Sequence, residues 1–184
     1  MFNWRSLLTE LSSQIIREEE DLPSAMVEAQ WLGYSGATEE QLLKAESRLG
    51  IKLPHSYREF LKVSNGFGMW NDPDPCFHLL PIEAVDWLVS TYPTAPEDWD
   101  DFDVSDEDYF VYGWEQDCVE FRAQYLKTSL QISNEYIDTA IALLNPEISL
   151  QEGEWEAWCL DSKLPGANRY QTFWDFMQQE PFYS

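Results

Sequence analysis

Residues 38–66 read TEEQLLKAESRLGIKLPHSYREFLKVSNG, and this stretch decides the fold. Thr38 and Gln41 have the spacing of a capping box, in which two residues satisfy each other's free N–H groups at a helix start. Gly50 follows as a helix terminator, and Pro54 can begin the next helix because a first-turn N–H would have no partner anyway. Apolar residues at helical spacing predict two core-facing stripes: Leu42, Ala45 and Leu49, then Tyr57, Phe60 and Leu61.

Helical periodicity also precedes this stretch, and strand-like patterning follows it. Residues 4–16 carry apolar side chains at helical spacing and predict a first amphipathic helix, whereas residues 21–37, with Pro23 and two glycines, predict a connector. Thr172 can cap a short C-terminal helix. Short aromatic or alternating runs predict strands: Phe77–Leu80, Tyr109–Tyr112, Tyr125–Ser133, Ala140–Leu144 and Trp155–Cys159.

The order of the predicted elements, with helices first, strands next and a helix last, predicts one α+β domain. We expect a mainly antiparallel or mixed sheet with helices packed on one face, a helical N-terminus and a short C-terminal helix. Residues 1–37 should form a helix and connector packed on the same domain, and residues 38–184 should form its main α+β part.

The helical pair carries a motif as well as a periodicity. The pattern is Glu46-x-x-Leu49-Gly50-x-x-Leu53-Pro54-x-x-Tyr57-x-x-Phe60-Leu61-x-x-x-Asn65-Gly66, with Leu80-Pro81-Ile82, Leu143-Leu144-Asn145-Pro146, Trp155-Glu156-Ala157 and Tyr170-x-x-Phe173-x-x-Phe176-Met177 after it. It resembles the SUKH superfamily, which includes bacterial immunity proteins of polymorphic toxin systems and a fungal regulator of cell-wall assembly. The resemblance covers about residues 38–179 and implies an α+β fold that binds other proteins and catalyses no reaction.

The net charge of the chain restricts the class of macromolecule that it is expected to bind. There are 34 Asp and Glu residues against 11 Lys and Arg, and the net charge is −23. Nucleic acids and anionic membranes require a basic footprint, so a basic protein is the expected partner. The aromatic content of 15% excludes a disordered acidic tail. Three distant cysteines and an N-terminus without a signal peptide favour a cytoplasmic protein.

The acidic residues are concentrated in one segment. No Lys or Arg occurs between Val63 and Phe121, whereas fifteen carboxylates and several aromatic residues do. Such a segment should project a field of one sign, and aromatic anchors ringed by charge are typical of protein-binding hot spots. The candidate partner-binding residues are Asp98, Trp99, Asp100, Asp101, Phe102, Asp103, Asp106, Glu107 and Asp108. A solvated acidic loop, pinned to the core by its aromatics, is the alternative interpretation.

Other chemistries fit the sequence poorly. A calcium loop starting at Asp101 would have Asp106 in place of its glycine and Tyr112 in place of its last glutamate. Cys76 and His78 are close together, but no second pair has zinc-ligand spacing. Neither histidine accompanies a nucleophile motif. Acid pairs beside tryptophan, as in Glu154-Trp155-Glu156, could in principle cleave a glycan. We therefore predict no catalytic residue, no metal and no cofactor.

The residues and the resemblance together predict a cytoplasmic immunity protein. It would bind and neutralise a basic toxin domain, with a nuclease as the expected type, because a nuclease must hold phosphates in a basic cleft. The alternative is a non-catalytic regulatory or scaffolding domain like the fungal branch. A carbohydrate-active enzyme or lectin that uses the tryptophan and acid loops is a further alternative.

Overall fold

The computed structural model of the protein describes residues 2–18, 22–68, 78–99, 103–134, 140–161 and 166–179. The N-terminal part contains helices α1 (Trp4–Glu18), α2 (Ser24–Ala29), α3 (Glu39–Leu49) and α4 (His55–Val63). Helices α5 (Leu88–Thr91) and α6 (Asp106–Tyr109) lie in the middle, and α7 (Phe173–Gln179) lies near the C-terminus. Short 3₁₀ segments span Ala95–Glu97, Gly113–Glu115 and Ala123–Thr128.

The strands form two antiparallel sheets. Strands β1 (Phe67–Gly68) and β2 (His78–Leu79) make a small hairpin-like pair. The larger sheet has the order β3-β4-β5-β6-β7, with β3 at Asp86–Trp87, β4 at Leu130–Gln131, β5 at Ala140–Asn145, β6 at Glu156–Asp161 and β7 at Gly166–Tyr170. Every neighbouring pair in this order is antiparallel. The α+β fold with a helical N-terminus and a short C-terminal helix is confirmed.

The helix starts and stops inside residues 38–66 follow the predicted local chemistry. The Thr38 N–H donates to Gln41 Oε1 at 2.8 Å, and the Gln41 N–H donates to Thr38 Oγ1 at 3.3 Å, which completes the capping box. Gly50 ends α3 with a positive φ of 73°, a conformation that glycine adopts without steric cost. Thr172 caps α7 by accepting from the Asp175 N–H at 3.1 Å.

A distant carboxylate caps helix α4. Pro54 occupies the N-cap position rather than the first turn, so the residue at the cap has no side chain that can accept a hydrogen bond. Glu154 supplies the acceptor instead: its Oε1 receives the Ser56 N–H at 2.9 Å and its Oε2 receives the Ser56 hydroxyl at 2.5 Å. The backbone of Gly153 accepts the His55 N–H at 2.8 Å. The loop before β6 therefore fixes the start of α4.

Several parts of the chain differ from the sequence-based expectation. Residues 21–37 include helix α2, which is too short to show an apolar period and has no fully buried residue. The predicted strand Tyr109–Tyr112 is wrong, because Ser105 caps the helical turn α6 and three carboxylates occupy its first turn. The predicted strand Tyr125–Ser133 begins as 3₁₀ helix, and only Leu130–Gln131 forms strand. Strands β1, β3 and β7 were not predicted.

The larger sheet is covered on both faces. On the first face, α1, α3, α4 and α7 pack over a core that includes Trp4, Tyr57 and Phe173. Alternate residues of a strand point to opposite faces, so Trp158 and Leu160 of β6 lie on the second face. The predicted packing of helices on one face describes the longer helices. The second face is covered by residues 88–99 and 103–128, which we call the acidic cover.

Within the described ranges, no helix combines the length and apolar character needed to cross a membrane.

Candidate protein-binding face

A buried carboxylate ties the acidic cover to the sheet. Glu156 lies on the second face of β6 and is fully buried. Its Oε2 accepts the Tyr109 hydroxyl at 2.6 Å and the Trp158 indole N–H at 2.6 Å, and its Oε1 accepts the Tyr112 hydroxyl at 2.7 Å. Hydrogen bonds to a charged acceptor are about twice as strong as neutral ones. Tyr109 and Tyr112 are therefore held at fixed positions on the sheet.

The environment of Glu156 keeps both phenols protonated. Burial, reinforced by the negative charge of Glu156 and by the hydrogen bonds donated to it, raises the pKa of Tyr109 far above its ordinary value. The same causes raise the pKa of Tyr112, and the nearby charge of Arg169 opposes the shift at both residues. Tyr109 and Tyr112 consequently act as permanent hydrogen-bond donors to the carboxylate.

Two arginines reinforce the same attachment from either side of the cover. Arg169 of β7 is fully buried, and its guanidinium donates to the Tyr109 backbone carbonyl and lies 4.5 Å from the Tyr109 ring centre. Arg122 lies 4.5 Å from the same ring centre and donates to the Val104 carbonyl at 2.8 Å. Cation–π contacts of this kind add to the hydrogen bonds. Both arginines are thus used to hold the cover together.

The structure describes six of the nine predicted partner-binding residues. Asp100, Asp101 and Phe102 lie outside the described residues. The carboxylates of Asp98, Asp103 and Glu107 are exposed and form no ion pair with any residue that the structure describes. These three acids are available to a partner.

The other three described residues have roles within the fold. Asp106 is exposed and pairs with Arg122 at 2.5 Å. Asp108 lies in the first turn of α6, where its carboxylate accepts the Ser105 hydroxyl at 2.7 Å. Trp99 is half-buried, with its ring centre 5.3 Å from that of Phe121 in an edge-on contact. Trp99 therefore pins the cover to the second core, as the alternative interpretation of this segment expected of its aromatics.

The sequence-based set omitted the most exposed aromatic residue of the cover. Trp114 is fully exposed, whereas the other tryptophans in the described ranges are buried or half-buried. It lies in the 3₁₀ segment Gly113–Glu115, which begins at a glycine with φ of 73°. Its neighbours Glu115 and Asp117 are exposed acids. A signal was present in the sequence as a bulky apolar residue between a glycine and an acid, but exposure cannot be deduced from that pattern.

A cleft opens beside Trp114, between the cover, the edge of the sheet and the end of α7. Its volume is about 550 Å³, and it is lined by Gly113, Trp114, Gln116, Asn168, Tyr170 and Gln179. Gln116 is held in place because its Oε1 accepts the Arg169 backbone N–H at 2.7 Å. The Ala167 N–H donates to the Cys118 carbonyl at 2.9 Å in the same region. This wall of the cleft is therefore attached to β7 at two points.

The acids that suggested glycan cleavage have structural roles. Glu154 is buried and caps α4, and Glu156 is buried under three short hydrogen bonds. Both carboxylates are engaged by hydrogen bonds inside the fold. In the described part of the chain, no group of three His, Cys, Asp or Glu side chains is close enough to hold a metal ion.

The motif residues of the helical pair also serve the fold. Tyr57, Phe60 and Leu61 are fully buried in the first core. Glu46 is buried, and its carboxylate accepts the Leu53 backbone N–H at 3.2 Å and the Arg58 Nε–H at 3.3 Å. It thereby fixes the link between α3 and α4. These residues of the motif specify an architecture.

The comparison with known families agrees with this architecture. The family model described as the SMI1 / KNR4 family (SUKH-1) matches residues 36–179. The chain belongs to this family, and the SUKH domain includes immunity proteins. The match includes the acidic cover and excludes α1. A search of curated proteins found no matching relative.

Proposed function

We propose that the domain is a cytoplasmic immunity protein that binds a basic toxin domain through the acidic cover and neutralises it without catalysis. The proposal is supported by the distribution of charge on this face. The described residues between 78 and 121 contain no Lys or Arg, and among the described residues Asp98, Asp103 and Glu107 are exposed without an ion-pair partner. Surface acids normally alternate with bases. A face of one sign attracts a partner of the opposite sign and repels nucleic acid and anionic membrane.

The attachment of the cover suits it to inhibition. Flexible binding segments lose part of their binding free energy because they must become ordered. Here the hydrogen bonds that Tyr109 and Tyr112 donate to Glu156, together with the contacts of Arg122 and Arg169, hold the backbone of the cover in one arrangement. The exposed carboxylates consequently have a fixed spacing, which favours tight binding as well as fast encounter.

Charge reversal in the cover tests this proposal. The variant Asp103→Lys with Glu107→Lys changes the net charge by +4, and so does the control variant Glu10→Lys with Glu28→Lys, whose acids are exposed on α1 and α2. A unit charge on a partner about 10 Å away in water interacts by about 0.4 kcal/mol before screening. Four charge units thus change the encounter free energy by about 1.6 kcal/mol, or by about 0.6 kcal/mol at 0.1 M salt.

The measurement is stopped-flow association with a basic nuclease toxin domain that the unmodified protein binds. The cover variant should associate about 15-fold more slowly at low salt and about 3-fold more slowly at 0.1 M salt. The control should slow association much less, because its acids lie on helices of the other face. If the two variants behave alike, only net charge matters and the cover is a solubility device. Binding without loss of toxin activity would contradict the immunity role and favour a regulatory adaptor.

A further inference from the structure

We propose that the cleft beside Trp114 receives an arginine side chain of the basic partner, with the guanidinium stacked on the exposed indole. This inference rests on the proposed function, because it assigns a specific contact within the same face. It adds an anchor outside the acids of residues 98–108, in the segment Gly113–Glu115 of the acidic cover next to β7.

The exposure of Trp114 is the first argument. An indole ring is the best of the aromatic faces for a cation, and tryptophan is enriched among residues that dominate binding free energy. Trp114 makes no contact that stabilises the fold, since its side chain is fully exposed. The segment that carries it is nevertheless rigid, because Tyr112 bonds to Glu156 on one side and Gln116 bonds to β7 on the other.

The charge and polarity of the cleft select the occupant. Glu115 and Asp117 are exposed beside Trp114, and Glu120 is half-buried a short distance along the chain. Asn168 and Gln179 line the cleft, and the amide oxygen of each side chain can accept a hydrogen bond. A guanidinium is a planar cation with five N–H donors, so it can stack on the ring and donate to these amides together. A lysine ammonium complements the negative charge of the cleft, but it has no planar group to stack on the indole.

The buried positive charge of Arg169 is used within the fold. Arg169 of β7 is fully buried and directs its guanidinium to the Tyr109 and Val111 carbonyls of the cover. It lies close enough to Glu156 for both charges to act on Tyr109. The cleft volume of about 550 Å³ is within the usual range for a small-ligand site and exceeds one side chain. The remainder can hold the backbone that flanks the arginine.

The test uses the full chain and a capped Arg-Gly peptide of four repeats as the probe. A Lys-Gly peptide of equal length and charge is the matched ligand. Trp114→Phe identifies the Trp114 indole N–H signal in a ¹⁵N-correlated NMR spectrum. In 0.15 M salt, the Arg peptide should shift this signal in a saturable way and should bind more tightly than the Lys peptide. Trp114→Ala should weaken binding of the Arg peptide about tenfold.

Two further variants separate this inference from the proposed function. Leu43→Ala removes another exposed apolar side chain, on α3, and should leave the affinity unchanged. If Asp103→Lys with Glu107→Lys weakens the Arg peptide but Trp114→Ala does not, the arginine site is refuted and the acidic face stands. If the peptide binds no form of the protein, the arginine site is refuted, and the toxin-binding proposal is decided by the association rates of the charge-reversal variants. A Trp114 signal that moves with an uncharged oligosaccharide, and not with the peptide, would make the cleft a glycan site.

Discussion

Removal of the Glu156 carboxylate should detach the acidic cover from the sheet. In the variant Glu156→Ala, the buried Tyr109 hydroxyl and Trp158 indole N–H lose their acceptor, which lies 2.6 Å from each. An orphaned buried donor costs about 1–3 kcal/mol, and the partly buried Tyr112 can turn to water. The removed side chain also leaves a cavity and the buried Arg169 charge. We therefore expect a loss of about 4 kcal/mol of unfolding free energy.

The conservative substitution should have a much smaller effect. A glutamine at position 156 can keep its carbonyl oxygen toward Tyr109 and Trp158, and its amide can donate to the Tyr112 hydroxyl, which accepts as well as donates. Only the charge assistance of the hydrogen bonds is then lost, so Glu156→Gln should cost about 1–2 kcal/mol. Glu147→Ala, an exposed acid in the turn after β5, is the matched control and should change the free energy by less than about 0.5 kcal/mol.

Urea unfolding followed by tryptophan fluorescence measures these differences. With a slope of about 2 kcal/mol per molar urea, Glu156→Ala should lower the midpoint by about 2 M. Limited proteolysis should then cut the cover before the rest of the chain, because its attachment is weakened most. The reasoning is refuted if Glu156→Ala unfolds within about 0.5 kcal/mol of the wild-type protein, or if Glu156→Gln is equally damaging.

Three other substitutions test contacts that lie outside the acidic cover or attach it to the sheet. Glu154→Ala should cost about 1–2 kcal/mol by urea unfolding, because the Ser56 N–H at the start of α4 loses its acceptor; an unchanged midpoint would show that the cap is dispensable. Gly166→Ala should cost about 1–3 kcal/mol in the same assay, because the new Cβ would lie 1.8 Å from the Cys118 carbonyl oxygen; full stability would mean that this contact can open freely. Burial lowers the pKa of His78. The neutral imidazole therefore contributes its full stability above about pH 6.5, and this stability is lost as the pH falls through the lowered pKa, by at most about 1.4 kcal/mol per pH unit. His78→Phe should remove this pH dependence of the unfolding free energy, and an unchanged dependence would assign it to other groups.

The sequence predicts best where the chemistry is local. The capping box at Thr38 and Gln41 depends on two residues three positions apart, and the structure reproduces it. The C-terminal helix that starts after Thr172 has the same kind of signal. Strands β5 and β6 are also visible, because each is a continuous apolar run with turn residues at its ends.

Long-range contacts explain what the sequence does not predict. The aromatic run at residues 109–112 resembles a strand, but Tyr109 is buried and Tyr112 half-buried because Glu156 and Arg169 bind them from the sheet. Their partners lie more than forty positions away, so no local pattern shows them. The same limit applies to the candidate site: the density of acids is visible in the sequence, whereas the burial of Trp99 and the exposure of Trp114 depend on tertiary contacts.

The contacts of Gln116 and Cys118 with β7 have a consequence for the behaviour of the protein at high concentration. Strand β7 is the last in the sheet order, and an outer strand with free N–H and C=O groups can recruit another chain. Here the Arg169 and Ala167 N–H groups are already occupied by Gln116 and Cys118. Variants that loosen this segment should therefore be prone to strand-mediated aggregation, even though the chain keeps its strong negative charge.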